Sequence, residues 1–198
     1  SPNGASVAIL GKSGSGKSTL MHVVSGLDTP DQGQILIDDV DILKLKQKAV
    51  DKFRAEKIGF IFQSFFVEAN ESVYDNVSLP LEIAKVPRSK RKARVNAALK
   101  AVELTDKIKN KAKNLSGGQK QRLAIARAIV NEPSIIFADE PTGNLDSVTG
   151  AKVEDSLFGY NKDKGVTLIV VTHDVDLAKK CDMIVSIKDG KVESIDDK

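Results

Sequence analysis

Apolar residues recur along the chain in short runs, each closed by a glycine, an amide, an acid or a histidine. Ser6–Leu10 (SVAIL) runs into Gly11, and Ile58–Phe62 runs into Gln63. Ile135–Phe137 leads to Asp139 and Glu140, and Thr167–Val171 leads to His173. Runs this short and this apolar read as buried strands. Gln34–Ile37 reads as a further strand. Elsewhere the period lengthens. The stretch from Lys17 reads as a helix that stops at Gly26. Ser89–Leu104 places Val95, Leu99 and Val102 at helical spacing with lysine and arginine opposite, an amphipathic helix. Met183–Ile187 and Lys191–Ser194 flank Asp189-Gly190, a hairpin turn pair. Residues 63–114 show no convincing strand and read as a mainly helical insert. Strands alternating with helices predict an α/β fold with a mostly parallel sheet and crossover helices.

Composition bounds this picture without changing it. A chain of 198 residues, 41% of them hydrophobic, suffices for one domain with a real core. Charged residues make up 29% and the net charge is +3, too weak to select nucleic acid or an anionic membrane as partner. The basic run Arg88–Arg94 has no interleaved aromatics and reads as a solvated helix face, so no nucleic acid partner is expected. Cys181 is the single cysteine, which excludes an intrachain disulfide and fits a reducing compartment. No apolar run approaches the roughly 18 residues of a membrane helix, and no secretory signal pattern is present.

The chemistry concentrates at the ends of the apolar runs. Gly11–Thr19, GKSGSGKST, fits a phosphate-binding loop with a strand before it and a helix after it. Its glycines let backbone N–H groups close on phosphate oxygens, Lys17 brings a point charge, and Ser18 offers a hydroxyl to Mg²⁺. Asp139 ends a buried strand where a carboxylate can support the magnesium shell. Glu140 follows and can orient or deprotonate an attacking water. His173 and Gln63 close two further strands, within reach of a terminal phosphate, a water or the metal. A second glycine-rich helix start stands at Leu115–Gln119, LSGGQ. Ser116 suits a cap, but Gly117 and Gly118 each forgo up to about 1 kcal/mol of helix propensity. That cost points to a close approach to the backbone.

With these pieces in order, the chain resembles an ATP-binding-cassette (ABC) ATPase domain over nearly its whole length. GKSGSGKST is similar to Walker A, Gln63 to the Q-loop, LSGGQ to the signature, and IIFADE to Walker B with the catalytic glutamate. Gly143–Asp146 (GNLD) is similar to the D-loop, and His173 to the switch histidine. ADEPTGNLD together with DNVSLPL resembles a narrower group. Its members serve lipoprotein-releasing, macrolide-exporting, antimicrobial-peptide-resistance and cell-division complexes.

The resemblance implies a P-loop NTPase fold in one domain, residues 1–198, with a helical signature subdomain at about 64–130. It implies ATP and Mg²⁺ as cofactors and a head-to-tail dimer with a second ATPase subunit. Gly11, Ser13, Gly14, Ser15, Gly16, Lys17, Ser18 and Thr19 would hold phosphate; Ser18, Gln63 and Asp139 would hold the metal. Glu140 would be the general base, His173 the γ-phosphate sensor and Gln63 a further catalytic residue. Ser116, Gly117, Gly118 and Gln119 would serve the ATP of the partner subunit, and Asp146 would tie the two sites together. A membrane permease on a separate chain is implied, with this subunit peripheral on the cytoplasmic face of the cell membrane. The segment Phe65–Ser72 would meet that permease. Family members also carry an antiparallel β-subdomain before the Walker A strand, with an aromatic residue that stacks on adenine. Here that subdomain is expected to be truncated, and no stacking residue is assigned. A non-transport ABC ATPase, in cell division or DNA repair, is the alternative. A P-loop kinase is disfavoured, because a kinase excludes water where the Asp139-Glu140 pair would activate it.

Overall fold

The computed structural model describes residues 3–198. The strands are β1 (Ser6–Leu10), β2 (Leu36–Ile37), β3 (Val40–Asp41), β4 (Ile58–Ile61), β5 (Ile135–Asp139), β6 (Thr167–Thr172), β7 (Met183–Lys188) and β8 (Lys191–Asp197). The helices are α1 (Lys17–Val24), α2 (Gln47–Lys57), α3 (Val73–Ile83), α4 (Arg88–Ala101), α5 (Gly117–Ile129), α6 (Ser147–Lys164) and α7 (Val175–Ala178). Six strands form one sheet in the order β4-β5-β6-β1-β7-β8, and β2 pairs with β3 in a separate antiparallel ribbon. Only β8 runs antiparallel within the large sheet. A mostly parallel sheet with flanking helices, expected from the sequence, is what forms.

Side-chain alternation along the strands divides the interior in two. Ala8, Ile136, Ala138, Leu168 and Val170 face the core shared with α3 to α7. Their neighbours Ile9, Phe137 and Val171 face a smaller core with Met21 of α1, Ile37 and Ile42. A parallel strand buried on both faces has no reason to alternate with polar residues, which is why these strands read as unbroken apolar runs.

Local departures from the sequence reading have local causes. The strand expected at Gln34–Ile37 shortens to Leu36–Ile37. Asp38 and Asp39 both adopt positive φ (48° and 62°) and turn the chain back at once into β3. The helix expected to reach Leu104 ends at Ala101. Glu103 takes φ 57°, and the Leu104 N–H donates to the Leu99 carbonyl, closing the helix while Val102 and Leu104 stay buried. The Asp189-Gly190 hairpin forms with both φ positive (49° and 74°), the pattern of a type I′ turn, and β8 extends to Asp197. Helices α2, α3 and α6 escape a reading of apolar runs. Helix α6 still carries its signals: an Asp146 cap, a left-handed Gly165 after the last turn, and Val153, Leu157 and Tyr160 buried at helical spacing.

Register places the chemistry. Leu10 pairs with Thr172, Asp139 with Val171, and Ile61 with Ala138. Four of the five parallel strands, β1, β4, β5 and β6, therefore end on one rim, and the residues just beyond them meet there. In open α/β sheets this is the edge where ligands bind.

Candidate active site

A cleft of about 720 Å³ opens on that rim, lined by Ser13, Gly14, Lys17, Ser18, Gln63, Asp139, Glu140 and His173 with their neighbours. The loop between β1 and α1 is one wall. Gly14 (φ 78°) and Gly16 (φ 96°) lie in the left-handed region that only glycine enters without strain. Gly11 serves packing instead: a Cβ there would stand 2.5 Å from Ser15 Oγ and 2.7 Å from the Ile187 carbonyl. Ser15 is buried, and neither it nor Gly11 lines the cleft. Lys17 is buried with its ammonium donating to the Lys12 carbonyl at 2.9 Å. That bond uses one of three ammonium protons and leaves two for an anion.

Opposite stands the acidic wall. Burial, then the Glu140 charge, push the Asp139 carboxyl above its ordinary range; His22, Lys17 and a hydrogen bond with Ser18 pull it back. Glu140 occupies a strained position at φ 45°, uncommon for a residue with a side chain. Its N–H donates to the Val171 carbonyl at 2.8 Å, fastening the end of β5 to β6. Its carboxylate is held on the same side. Oε1 accepts from the His173 N–H at 2.9 Å and lies 2.7 Å from His173 Nδ1. Oε2 accepts from the Thr172 hydroxyl at 3.1 Å. The Thr172 oxygen in turn accepts from the Asp174 N–H, while its own proton goes to the Glu140 carboxylate. Gln63 is set by the loop after β5: its Nε2 donates to Asn144 Oδ1 and its carbonyl accepts from Asn144 Nδ2, each at 3.2 Å.

Oxygen donors from Ser18, Gln63 and Asp139 thus converge on one anion-binding loop. Among the described residues no cluster of three acids, histidines or cysteines could cage a metal. The donor set fits Mg²⁺, which retains waters and takes oxygens from a bound phosphate rather than from an all-protein cage.

The signature residues lie elsewhere: Ser116, Gly117, Gly118, Gln119 and Asp146 do not line the cleft. Ser116 caps α5 reciprocally with Gln119. The Gln119 N–H donates to Ser116 Oγ at 3.3 Å, and the Ser116 N–H donates to Gln119 Oε1 at 2.9 Å. The two glycines differ. A Cβ on Gly117 would find only ordinary contacts, to Leu145 and Phe65, whereas one on Gly118 would stand 2.1 Å from Thr149 Cγ2. Within this chain the close approach expected at Gly118 is therefore made by α6. Asp146 caps α6, accepting from the Thr149 N–H at 2.9 Å and hydroxyl at 2.7 Å, and these bonds hold its carboxyl below the ordinary range.

Thr172, Asn144 and Thr149 were not singled out from the sequence. Asn144 stood inside the GNLD string, but its partner is 81 residues away. Gln121 was also passed over, and it carried a legible signal: a polar residue between Gly118, Ala124 and Ile125 on the buried face of α5.

A phosphate loop, a metal-compatible acid and a positioned glutamate at the mouth of a parallel sheet define a P-loop nucleotide-binding domain. Comparison with known proteins narrows the class. The family model for ABC transporters matches residues 2–143. The uncharacterised ABC transporter ATP-binding protein YvrO of Bacillus subtilis is 47% identical over 189 residues, covering 96% of this chain and 82% of YvrO. The lipoprotein-releasing system ATP-binding protein LolD of Syntrophus aciditrophicus is 43% identical over 190 residues, covering 96% and 85%. The dimeric post-hydrolysis structure of the cassette MJ0796 bound to ADP and Pi superimposes with a TM-score of 0.87 at 40% identity, covering 99% and 86%. The chain belongs to the ABC transporter family, as one of its ATP-binding cassettes. No helix among the described residues is long and apolar enough to cross a membrane.

Proposed function

We propose that this chain is the ATP-hydrolysing subunit of an ABC transporter and energises a membrane permease carried on another chain. The convergence of Lys17, Ser18, Gln63, Asp139, Glu140 and His173 on one cleft supports this most directly. Backbone N–H groups of Ser13–Thr19 and the Lys17 ammonium would take the phosphates. Ser18, Gln63 and Asp139 would hold Mg²⁺, which when bound neutralises phosphate charge. Glu140 would accept a proton from the attacking water, with His173 and Thr172 steadying its carboxylate at the atoms already bonded. Similarity to LolD, the ATP-binding protein of a lipoprotein-releasing system, favours an export or lipoprotein-releasing assembly.

The placement of Leu115–Gln119 outside the cleft supports a head-to-tail dimer. In that arrangement Ser116 and Gly117 would reach the nucleotide of the partner subunit, and Asp146 would connect the two sites. Residues 64–130, with α3, α4 and α5, would form the helical subdomain of the single 1–198 domain. An apolar groove of about 590 Å³ runs between α2, α3 and α5, lined by Phe60, Phe62, Leu79 and Ile83. Phe66 beside it is 65% exposed. This face suits the permease, which would hold the subunit at the cytoplasmic face of the membrane.

Glu140→Gln tests the mechanism. The variant is expected to bind ATP normally, to lose hydrolysis by on the order of 100-fold or more, and to accumulate as an ATP-bound dimer in size-exclusion chromatography. Wild-type turnover in this variant would remove Glu140 from the base role.

A further inference from the structure

The signature helix carries one fully buried polar side chain that neither the phosphate loop nor the signature motif uses. Gln121 is 0% exposed, on the face of α5 that carries Ala124 and Ile125 into the core. Its Nε2 donates to the Phe62 carbonyl at 3.0 Å and to the Pro141 carbonyl at 2.7 Å. Both neighbours of that nitrogen are acceptors, which fixes the orientation of the amide. Its Oε1 is buried without a hydrogen-bond partner among the described residues. A buried unpaired oxygen costs on the order of 1–3 kcal/mol. An apolar residue of the same shape would avoid that cost, so packing alone does not account for glutamine here.

The two acceptors explain the choice. Phe62 immediately precedes Gln63, and Pro141 immediately follows Glu140. Both carbonyls belong to chain that has left its strand, since β4 ends at Ile61 and β5 at Asp139. The bond to Phe62 spans 59 residues and that to Pro141 spans 20. One planar amide therefore spaces the backbone of the Q-loop against the backbone that carries the strained Glu140. It does so from the helix whose first turn is LSGGQ. Arg127, six residues further along α5, donates to the carbonyls of Phe65 and Phe66 and anchors the far side of the same loop.

We infer that Gln121 is a positioning residue for hydrolysis: it sets the separation of Gln63 and Glu140 and transmits the position of the signature helix to both. It touches no nucleotide and acts through those two backbone segments. The inference rests on the roles given above to Gln63 and Glu140.

The test replaces Gln121 by methionine, which keeps the length of the side chain and removes both donors. ATPase kinetics and thermal unfolding are measured on the full-length protein, with Glu140→Gln and Gln63→Ala prepared in parallel. A displacement of about 1 Å at the reacting groups can cost on the order of 100-fold. Gln121→Met is thus expected to lower kcat by roughly 10- to 100-fold, with KM for ATP shifted by less than about threefold because the phosphate loop is untouched. Its effect is expected to shrink in the Gln63→Ala background, as for residues acting through a shared element. A folded variant with wild-type kcat overturns the inference, and so does a loss that falls equally on KM and multiplies in full with Gln63→Ala. If Gln121→Met is unfolded at the assay temperature, Gln121→Asn, which shortens the amide by one methylene, takes its place. A reduced kcat at unchanged KM supports the role, and wild-type kcat overturns it. Normal hydrolysis by Glu140→Gln would instead mean that the functional reading itself had failed.

Discussion

Gly118→Ala isolates a contact that the signature motif conceals. The added methyl would stand 2.1 Å from Thr149 Cγ2, about 1.4 Å short of ordinary carbon contact at ~3.5 Å. Thr149 cannot simply turn aside. Its hydroxyl donates to Asp146 Oδ2 at 2.7 Å, a bond that rotation of the side chain sacrifices, while its N–H keeps the cap of α6 on Asp146 Oδ1 at 2.9 Å. Keeping the rotamer requires α5 and α6 to part. Overpacking of this kind typically costs 1–3 kcal/mol, and alanine recovers at most about 1 kcal/mol of helix propensity over glycine. A net loss of about 1–2 kcal/mol lowers Tm by roughly 2–8 °C for a chain of this size. Circular dichroism melts of the two proteins measure it. Thr149→Ser removes the offending methyl and keeps the hydroxyl, so the double variant is expected to recover most of the loss. A Gly118→Ala protein that melts with the wild type, or a loss that Thr149→Ser does not lessen, would refute the reasoning.

Gly117→Ala meets only ordinary contacts within the chain. Its Tm is expected to match the wild type or to rise by up to roughly 2–4 °C, while ATPase activity falls, since its backbone would face the partner's nucleotide; wild-type activity would count against a shared site. Asp182 carries a different signal. Its Oδ2 accepts from the Ser6 N–H and hydroxyl, both at 2.8 Å, and these bonds hold its carboxyl below the ordinary range. The stabilisation is therefore present above the unfolded value of about 4 and is lost as pH falls through the folded value. Urea midpoints of Asp182→Asn and wild type are expected to differ at neutral pH and to converge in acid; a constant gap would exclude the linkage. Cys181 lies buried with its thiol pushed up to about 11 by burial and the Asp182 charge. Slow alkylation of the native protein and fast alkylation in urea are expected.

The sequence was most legible where the determinants are neighbours in the chain. The phosphate loop needs glycines at fixed spacing between a strand and a helix, and all of it lies within Gly11–Thr19. The Ser116–Gln119 capping box closes over three residues, and the Asp189-Gly190 turn over two. The rim of Gln63, Asp139, Glu140 and His173 was also foreseeable, because parallel strands buried on both faces end on a common edge. Helices α2 and α3 were less legible. Helix α2 buries no residue fully and offers only Val50 and Phe53 as an apolar stripe, and α3 carries Pro80 in its interior.

By itself, then, the sequence determined the strands, the phosphate loop, the caps and the family resemblance, because each is encoded within a few residues or in an ordered set of motifs. The tertiary structure decided what those motifs touch. It showed that Gly118 yields space to Thr149, that Asn144 holds Gln63, and that Thr172 and His173 hold Glu140. It also showed Gln121, not singled out from the sequence, bonding the chain just beyond two strand ends. These are contacts between segments tens of residues apart. They arise from how helices settle on the sheet, and a local pattern of polar and apolar positions carries no record of that distance.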